Sequence, residues 1–484
     1  MVQLQSNTYS DILTNKHLQL LLEVLYSIYT EKEKPENNMK IKIPENANMI
    51  INTLISKGYK AYAVGGCVRD SVMGTQPHDW DICTSARPYE ILTALGKNNV
   101  IESGLKHGTV TVHSGNELYE ITTFRADGDY TDNRHPETVK FIRSLREDLA
   151  RRDFTVNAMA YNDAQGLCDY FGGTDDIRNR IIRCVGDPDK RFNEDALRIL
   201  RALRFASRLG FEIEQNTAAS IRKNAGLLRN ISVERIASEL AGILDGEYCE
   251  SILMEYPDVL CVFLPEIKPM IGLEQKNPHH IYDVWTHTVK VISNSPHGRL
   301  MRITALLHDI AKPQCASVDE NGTGHFHGHP AVGAEMAGRI LKRLHFDNDT
   351  ISKVKLLIKY HDLRPQPEPK YVRRLISKTG TELFVPLMEL KRADALGQNP
   401  DTIQYKLEYT DSLERIFREL TADGSEFNIK TLAIDGNDLI SLGISPGPEI
   451  GRILKAMLEL VIEGELENDR DELIKEVKKQ IGSV

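Results

Sequence analysis

The feature that most constrains this chain is a change of rhythm near residue 187. Ahead of it, short runs of alternating or continuous apolar residues at 59–64, 80–83, 109–113 and 117–124 read as strands between helical stretches. Behind it the strand signal stops, and apolar residues recur at helical spacing to the last residue. That pattern predicts a multidomain α+β chain: a small α/β head followed by an all-helical neck, body and tail. The 484 residues exceed a usual domain of ~150 about threefold, so several cores are expected. Residues 1–38 read as a helical extension without catalytic content, 39–175 as the head and 176–278 as the neck. Residues 279–400 read as a histidine-bearing helical domain and 401–484 as a helical tail.

Composition removes several classes. The longest apolar window, 18–29, is broken by Gln19, Glu23 and Ser27, whereas a membrane span needs ~20 apolar residues. No secretory leader pattern opens the chain, and the seven cysteines are scattered without a C-x-x-C pair. A reduced cytoplasmic setting is expected, with neither a disulfide framework nor a zinc knuckle. The net charge of -9 argues mildly against nucleic-acid binding, but arginines crowd the stretch from Arg143 to Arg235. Local distribution therefore decides more than the average.

Chemistry-bearing motifs begin with Val64-Gly65-Gly66-Cys67-Val68-Arg69-Asp70. Two glycines at a strand-to-helix turn let backbone N–H groups approach a phosphate, and a helix start favours its charge. Asp79-Trp80-Asp81 follows. On a strand, residues two apart face the same side, and paired hard oxygen ligands suit Mg2+ held with a triphosphate. Such a pair alone is commonly a solvated surface feature; beside a glycine turn and an arginine it is what two-metal nucleotidyl transfer requires. Glu120 reads either as a third carboxylate or as an ordinary exposed glutamate. Arg151-Arg152-Asp153 with Asn157 either caps a helix or grips triphosphate oxygens and a ribose hydroxyl.

Residues 191–205 read as one helix on which Asp195 and Arg198 share a face, with Arg201 nearby. One reading is a surface ion pair. The other is base recognition: cytosine and adenine both set an amino donor beside a ring-nitrogen acceptor, matching an Asp acceptor and an Arg donor. Uracil and guanine reverse that order and would leave buried groups unpaired. Farther on come His287, His308-Asp309, His329, His361 and Asp394, imidazoles and carboxylates from several helices, as a helical bundle builds a metal site. His279, His280, His325 and His327 read as local or surface residues.

In order, Gly65-Gly66-x-x-Arg69-Asp70, Asp79-x-Asp81, Arg151-Arg152-Asp153-x-x-x-Asn157-Ala158, Glu194-Asp195-x-x-Arg198 and Glu234-Arg235 resemble the motifs of class II CCA-adding tRNA nucleotidyltransferases and bacterial poly(A) polymerases. The resemblance implies a polymerase-β-like head and a neck that houses the base pocket. It implies Asp79 and Asp81 as catalytic, Mg2+-binding carboxylates. Nucleotide binding falls by the same likeness to Gly65, Gly66, Arg69, Arg125, Arg152, Asp153, Asn157, Asp195, Arg198 and Arg201. CTP and ATP are the implied substrates and tRNA the partner, with no nucleic-acid template. Residues 125–134 sit where the family carries a flexible loop for the switch from C to A, which favours complete CCA addition.

The order H…HD…H…H…D resembles the HD phosphohydrolase superfamily. That likeness implies one divalent site from His287, His308, Asp309 and Asp394, with His329 and His361 available for a second, and hydrolysis of phosphate on RNA ends as a second activity. The identity of that metal and the oligomeric state are not readable from the residues. Residues 439–451, rich in Gly and Pro, read as a helix–turn–helix join. Two other readings stay open: a poly(A) polymerase using the same carboxylates, and an RNA-binding phosphohydrolase whose head is inert.

Overall fold

The computed structural model describes residues 39–96, 100–101, 108–115, 117–127 and 139–481. The expected N-terminal extension and most of the 125–134 loop lie outside these residues. The described chain forms two compact units, one ending at Gly186 and the other running from Asp187.

The first unit is built on a seven-stranded mixed sheet. Its strands are β1 (Ala61–Val64), β2 (Ile82–Thr84), β3 (Val100–Ile101), β4 (Thr109–Ser114) and β5 (Glu117–Thr123), and later β8 (Met159–Asn162) and β9 (Gly166–Asp169). They lie in the order β3-β4-β5-β2-β1-β8-β9, while β6 (Arg125–Asp127) and β7 (Val139–Phe141) form a separate ribbon. All four β1 residues are buried because both faces of the sheet are covered. Ala61 and Ala63 join one apolar cluster with Ile82, Ile121 and Met159. Tyr62 and Val64, pointing the other way, join Cys83, Phe124 and Ala160. Strand β2 is antiparallel to β1, with Ala63 opposite Ile82. It is parallel to β5, with Ile82 beside Ile121.

One sequence expectation shifts here. Asp79 and Asp81 stand just ahead of β2 rather than within it. The alternation survives: Trp80 is buried while Asp79 and Asp81 are exposed.

The second unit is helical, interrupted by short strands such as the hairpin Ser317–Val318 with Gly324–His325. The segment expected as one helix over 191–205 is two, Pro188–Glu194 and Leu197–Leu209. Asp195 breaks it in an extended conformation (φ -140, ψ 102). Its carboxylate accepts the N–H of Leu197 at 3.1 Å and its carbonyl accepts that of Arg198 at 3.0 Å. Aspartate competes well for backbone donors at a helix start, which is why the break falls there. The second of these helices packs on Val233–Leu244, with Arg204 Nε 2.6 Å from Glu239 Oε2 and the Ser207 hydroxyl donating to the Ile243 carbonyl at 2.6 Å. Toward the C-terminus, Leu439, Met457, Leu458, Leu473 and Val477 build a core of their own.

Candidate functional site

In the head, the Val64 N–H donates to the Asp81 carbonyl at 3.0 Å, which ties Asp81 to the end of β1. Gly65 follows at once with φ +83, a left-handed conformation that side chains resist. A Cβ at Gly65 would meet Arg152 Nη1 at 3.1 Å, so Arg152 lies over the glycine turn. The parallel register puts Glu120 alongside Asp81, one position before the Ile82–Ile121 pair. Although Asp81 is an exposed residue, its carboxyl is raised above the ordinary range. Loss of hydration is the main cause, followed by Asp79; Glu120 adds to the shift and Arg152 opposes it. Three carboxylates and one guanidinium thus share one neighbourhood beside Gly65.

The other head motif residues form a connected chain. Arg69 donates through Nη1 to Asn157 Oδ1 at 2.7 Å and through Nε to Asp70 Oδ1 at 2.8 Å. Asn157 donates to Asp153 Oδ1 at 3.4 Å, and that oxygen also accepts the Phe154 N–H at 2.9 Å. Asp153 and Asn157 are both buried. Sequence reasoning missed Asp148. It is fully buried and accepts Arg151 Nε at 3.0 Å, Arg151 Nη2 at 2.9 Å and the Arg125 N–H at 3.1 Å. Arg152 Nη2 stands 3.8 Å from its second oxygen. The three- and four-residue spacing to the two arginines was the available signal.

In the neck, Asp195 Oδ2 pairs with Arg235 Nη2 at 3.0 Å. Arg198 donates to Glu194 Oε2 at 2.8 Å and to the Arg191 carbonyl at 3.0 Å. Arg198 is 8% exposed, which removes the reading of a solvated surface pair. Buried guanidinium groups need such partners to offset lost hydration. Arg235 Nη1 is buried without a hydrogen-bond partner. The Arg201 guanidinium lies 5.3 Å from the Phe205 ring centre.

The six histidine and aspartate positions of the body converge. His287 Nε2 is 3.3 Å from Asp309 Oδ2 and 3.1 Å from Asp394 Oδ1, and His308 Nε2 is 3.1 Å from Asp309 Oδ2. On the other side, His329 and His361 Nε2 lie 3.3 and 3.7 Å from Asp309 Oδ1. Two three-residue groups able to hold a cation therefore share Asp309. Each imidazole directs Nδ1 to a backbone carbonyl: Gly397 at 3.0 Å, Ala305 at 2.7 Å, Phe326 at 2.8 Å and Ile358 at 2.7 Å. A carbonyl only accepts, so Nδ1 carries a proton and Nε2 is the ring atom turned inward.

Both Asp309 oxygens are buried, and Lys312 Nζ stands 2.7 Å from Oδ2. Burial opposes a charge on His287, yet its hydrogen bonds to Asp309 and Asp394 raise its pKa to about 9. The pocket is built for positive charge. The four neighbouring histidines stay outside both groups, as expected, but all line the adjoining cavity of about 250 Å³.

Three family descriptions match the chain: "Poly A polymerase head domain" at 61–183, "RNA and SrmB- binding site of polymerase A" at 210–271, and "tRNA nucleotidyltransferase domain 2" at 331–477. The CCA-adding enzyme of Levilactobacillus brevis is 35% identical over 433 residues, covering 89% of this chain and 96% of that protein. This chain belongs to the CCA-adding enzyme family. The family's member from Geobacillus stearothermophilus is 35% identical over 88% of this chain and 94% of its own length. The crystal structure of the Bacillus stearothermophilus CCA-adding enzyme in complex with CTP superposes with a TM-score of 0.69 at 30% identity. It covers 91% of this chain and 98% of that one. A Thermotoga maritima CCA-adding enzyme complexed with tRNA shares the fold at a TM-score of 0.52 and 20% identity, over 92% and 100% of the two chains. The chain is thus a nucleotidyltransferase of α+β class with a polymerase-β-like head. No helix among the described residues is long and apolar enough to cross a membrane.

Proposed function

We propose that this chain adds C, C and A in turn to the 3′ end of tRNA from CTP and ATP, with Asp79 and Asp81 as its catalytic carboxylates. The observation that carries the reading is the crowding of Asp79, Asp81 and Glu120 beside Gly65 and Arg152. Hard oxygen donors gathered where lost hydration and then Asp79 raise the Asp81 carboxyl fit a divalent cation, Mg2+ in the presence of a triphosphate. Bound there, Mg2+ supplies charge compensation for the attacking and leaving oxygens.

The remaining roles fall to the chain's own groups. Gly65 keeps the turn free of a side chain where phosphates approach, and Arg152 and Arg69 offer guanidinium donors to their oxygens. Asp153 and Asn157 border the sugar, and Arg125 and Arg201 add positive charge. Asp195 accepts from the exocyclic amine of C or A while Arg198 donates to the ring nitrogen, so protein replaces a template strand. In the reaction the tRNA 3′-oxygen bonds the α-phosphorus, the bond to the β-phosphate bridge breaks, and pyrophosphate and the hydroxyl proton leave. The CTP- and tRNA-bound relatives support the substrate assignment. Nucleotide selection tests it: tRNA lacking its terminal triplet should take label from CTP and ATP and not from UTP or GTP. Long A tails on unrelated RNA would instead favour a poly(A) polymerase.

The histidine cluster reads as a second, hydrolytic centre. His287, His308, Asp309 and Asp394 would hold one divalent cation and His329, His361 and the shared Asp309 another, supplying Lewis-acid polarisation of a phosphoryl group.

A further inference from the structure

Asp176, on the helix Gly173–Asn179 of the head, is a carboxylate only 6% exposed. Its Oδ2 accepts the Thr155 hydroxyl at 2.6 Å, and Arg183 Nε stands 3.2 Å from Oδ1 and 3.1 Å from Oδ2. The Arg183 carbonyl in turn accepts the Thr155 N–H at 2.9 Å, so three residues close a hydrogen-bonded ring around Thr155. Two residues on, the Val185 N–H donates to the Asp153 carbonyl at 3.1 Å, and Phe154 and Cys184 form an antiparallel bridge between the two bonds. Gly173 closes the last side. A Cβ there would overlap the Thr155 carbonyl oxygen, the same oxygen that accepts the Ala158 N–H at 3.0 Å.

A buried carboxylate costs stability unless it is paired, and a threonine hydroxyl alone asks for no charge. Charge-assisted bonds hold a partner more tightly than neutral ones, and a satisfied buried network rigidifies the segment it touches. The segment held here is the short 3-10 turn Thr155–Asn157, which carries Asn157 and directly follows Asp153. Those two side chains are joined to each other through Asn157 Nδ2 and Asp153 Oδ1. We propose that Asp176 is a positioning residue for ribose selection: through Thr155 it fixes the Asp153–Asn157 turn, so that the head takes ribonucleoside triphosphates and rejects 2′-deoxy ones. The inference rests on the reading of Asp153 and Asn157 as the border of the sugar. A site that bonds a hydroxyl rejects the analogue lacking it because its polar groups are left unpaired. That penalty holds only while those groups cannot shift to another partner, and the ring around Thr155 removes that freedom.

Addition of one nucleotide to tRNA lacking its terminal triplet, with CTP and with 2′-deoxy-CTP on one preparation, reads the role as a ratio of kcat/KM. Partial unfolding lowers both rates alike and leaves the ratio unmoved. Thr155→Val removes the hydroxyl and spares the Asp176–Arg183 pair. It should lower the CTP preference about tenfold, roughly the net worth of one hydrogen bond to a charged group, mainly through a raised KM for CTP. Asp176→Ala should do the same, and Asp176→Asn, which keeps an acceptor for the hydroxyl, should recover part of the preference. Asp153→Ala is measured beside them. If Asp153→Ala lowers the ratio while Thr155→Val keeps the parental value, the positioning role is overturned and the sugar reading stands. A parental ratio in Asp153→Ala overturns both.

Discussion

The Asp81 carboxyl resists ionisation because lost hydration, and then the neighbouring Asp79 and Glu120, disfavour its charge. A group held above its unfolded value binds a proton more readily in the folded chain, so the metal-free protein loses stability as pH rises through that window. Asp81→Asn should therefore abolish nucleotide addition by more than about 100-fold, a larger loss than removing an outer-shell partner brings. Its metal-free form should nevertheless melt no lower than the parent, which a thermal scan checks. Gly65→Ala places a Cβ in a left-handed conformation at a cost of about 1–2 kcal/mol, 3.1 Å from Arg152. The expected result is a raised KM for CTP and ATP, measured by initial rates. The aspartate pair and the glycines were legible because their chemistry depends on residue type and short spacing. Asp148 was not: an acidic residue in a charged stretch reveals its burial only once three arginine donors close over it.

At the scale of elements, the break between the helices Pro188–Glu194 and Leu197–Leu209 places Asp195, the proposed base-reading aspartate, at a helix start. Apolar spacing and good helix formers on both sides hid it from a periodicity reading, since one extended residue leaves no mark in composition. Asp195→Ala removes a cap and the partner of Arg235, with a stability loss of about 1 kcal/mol and misincorporation of UTP. Asp195→Asn keeps the capping oxygen, so it should restore stability more than fidelity, and melting curves with a four-nucleotide incorporation panel separate the two. Helix ends matter in the body as well. His308 and His361 follow the last turns of their helices and bond the carbonyl three residues back. Carbonyls in the last turn of each helix thereby orient the imidazoles proposed as metal ligands. The histidine order was readable in the sequence, whereas this tautomer control required coordinates.

In the whole molecule, the two candidate sites lie in different units, one on the mixed sheet of the head and one among the body helices. His308→Ala or Asp309→Ala should remove metal-dependent phosphate release while nucleotide addition continues, measured on one preparation with both assays. Equal phosphate release by variant and parent would contradict the second centre. The α+β division near residue 187 was visible as the end of strand periodicity, and the structure divides the chain at Gly186. The central claim concerns the head. Purified chain supplied with Mg2+, CTP, ATP and a tRNA ending before its 3′ triplet should extend it by C, C and A and then stop. Asp79→Ala and Asp81→Ala should leave that tRNA unextended. Continued A addition past the triplet, or undiminished extension by either variant, would contradict the account.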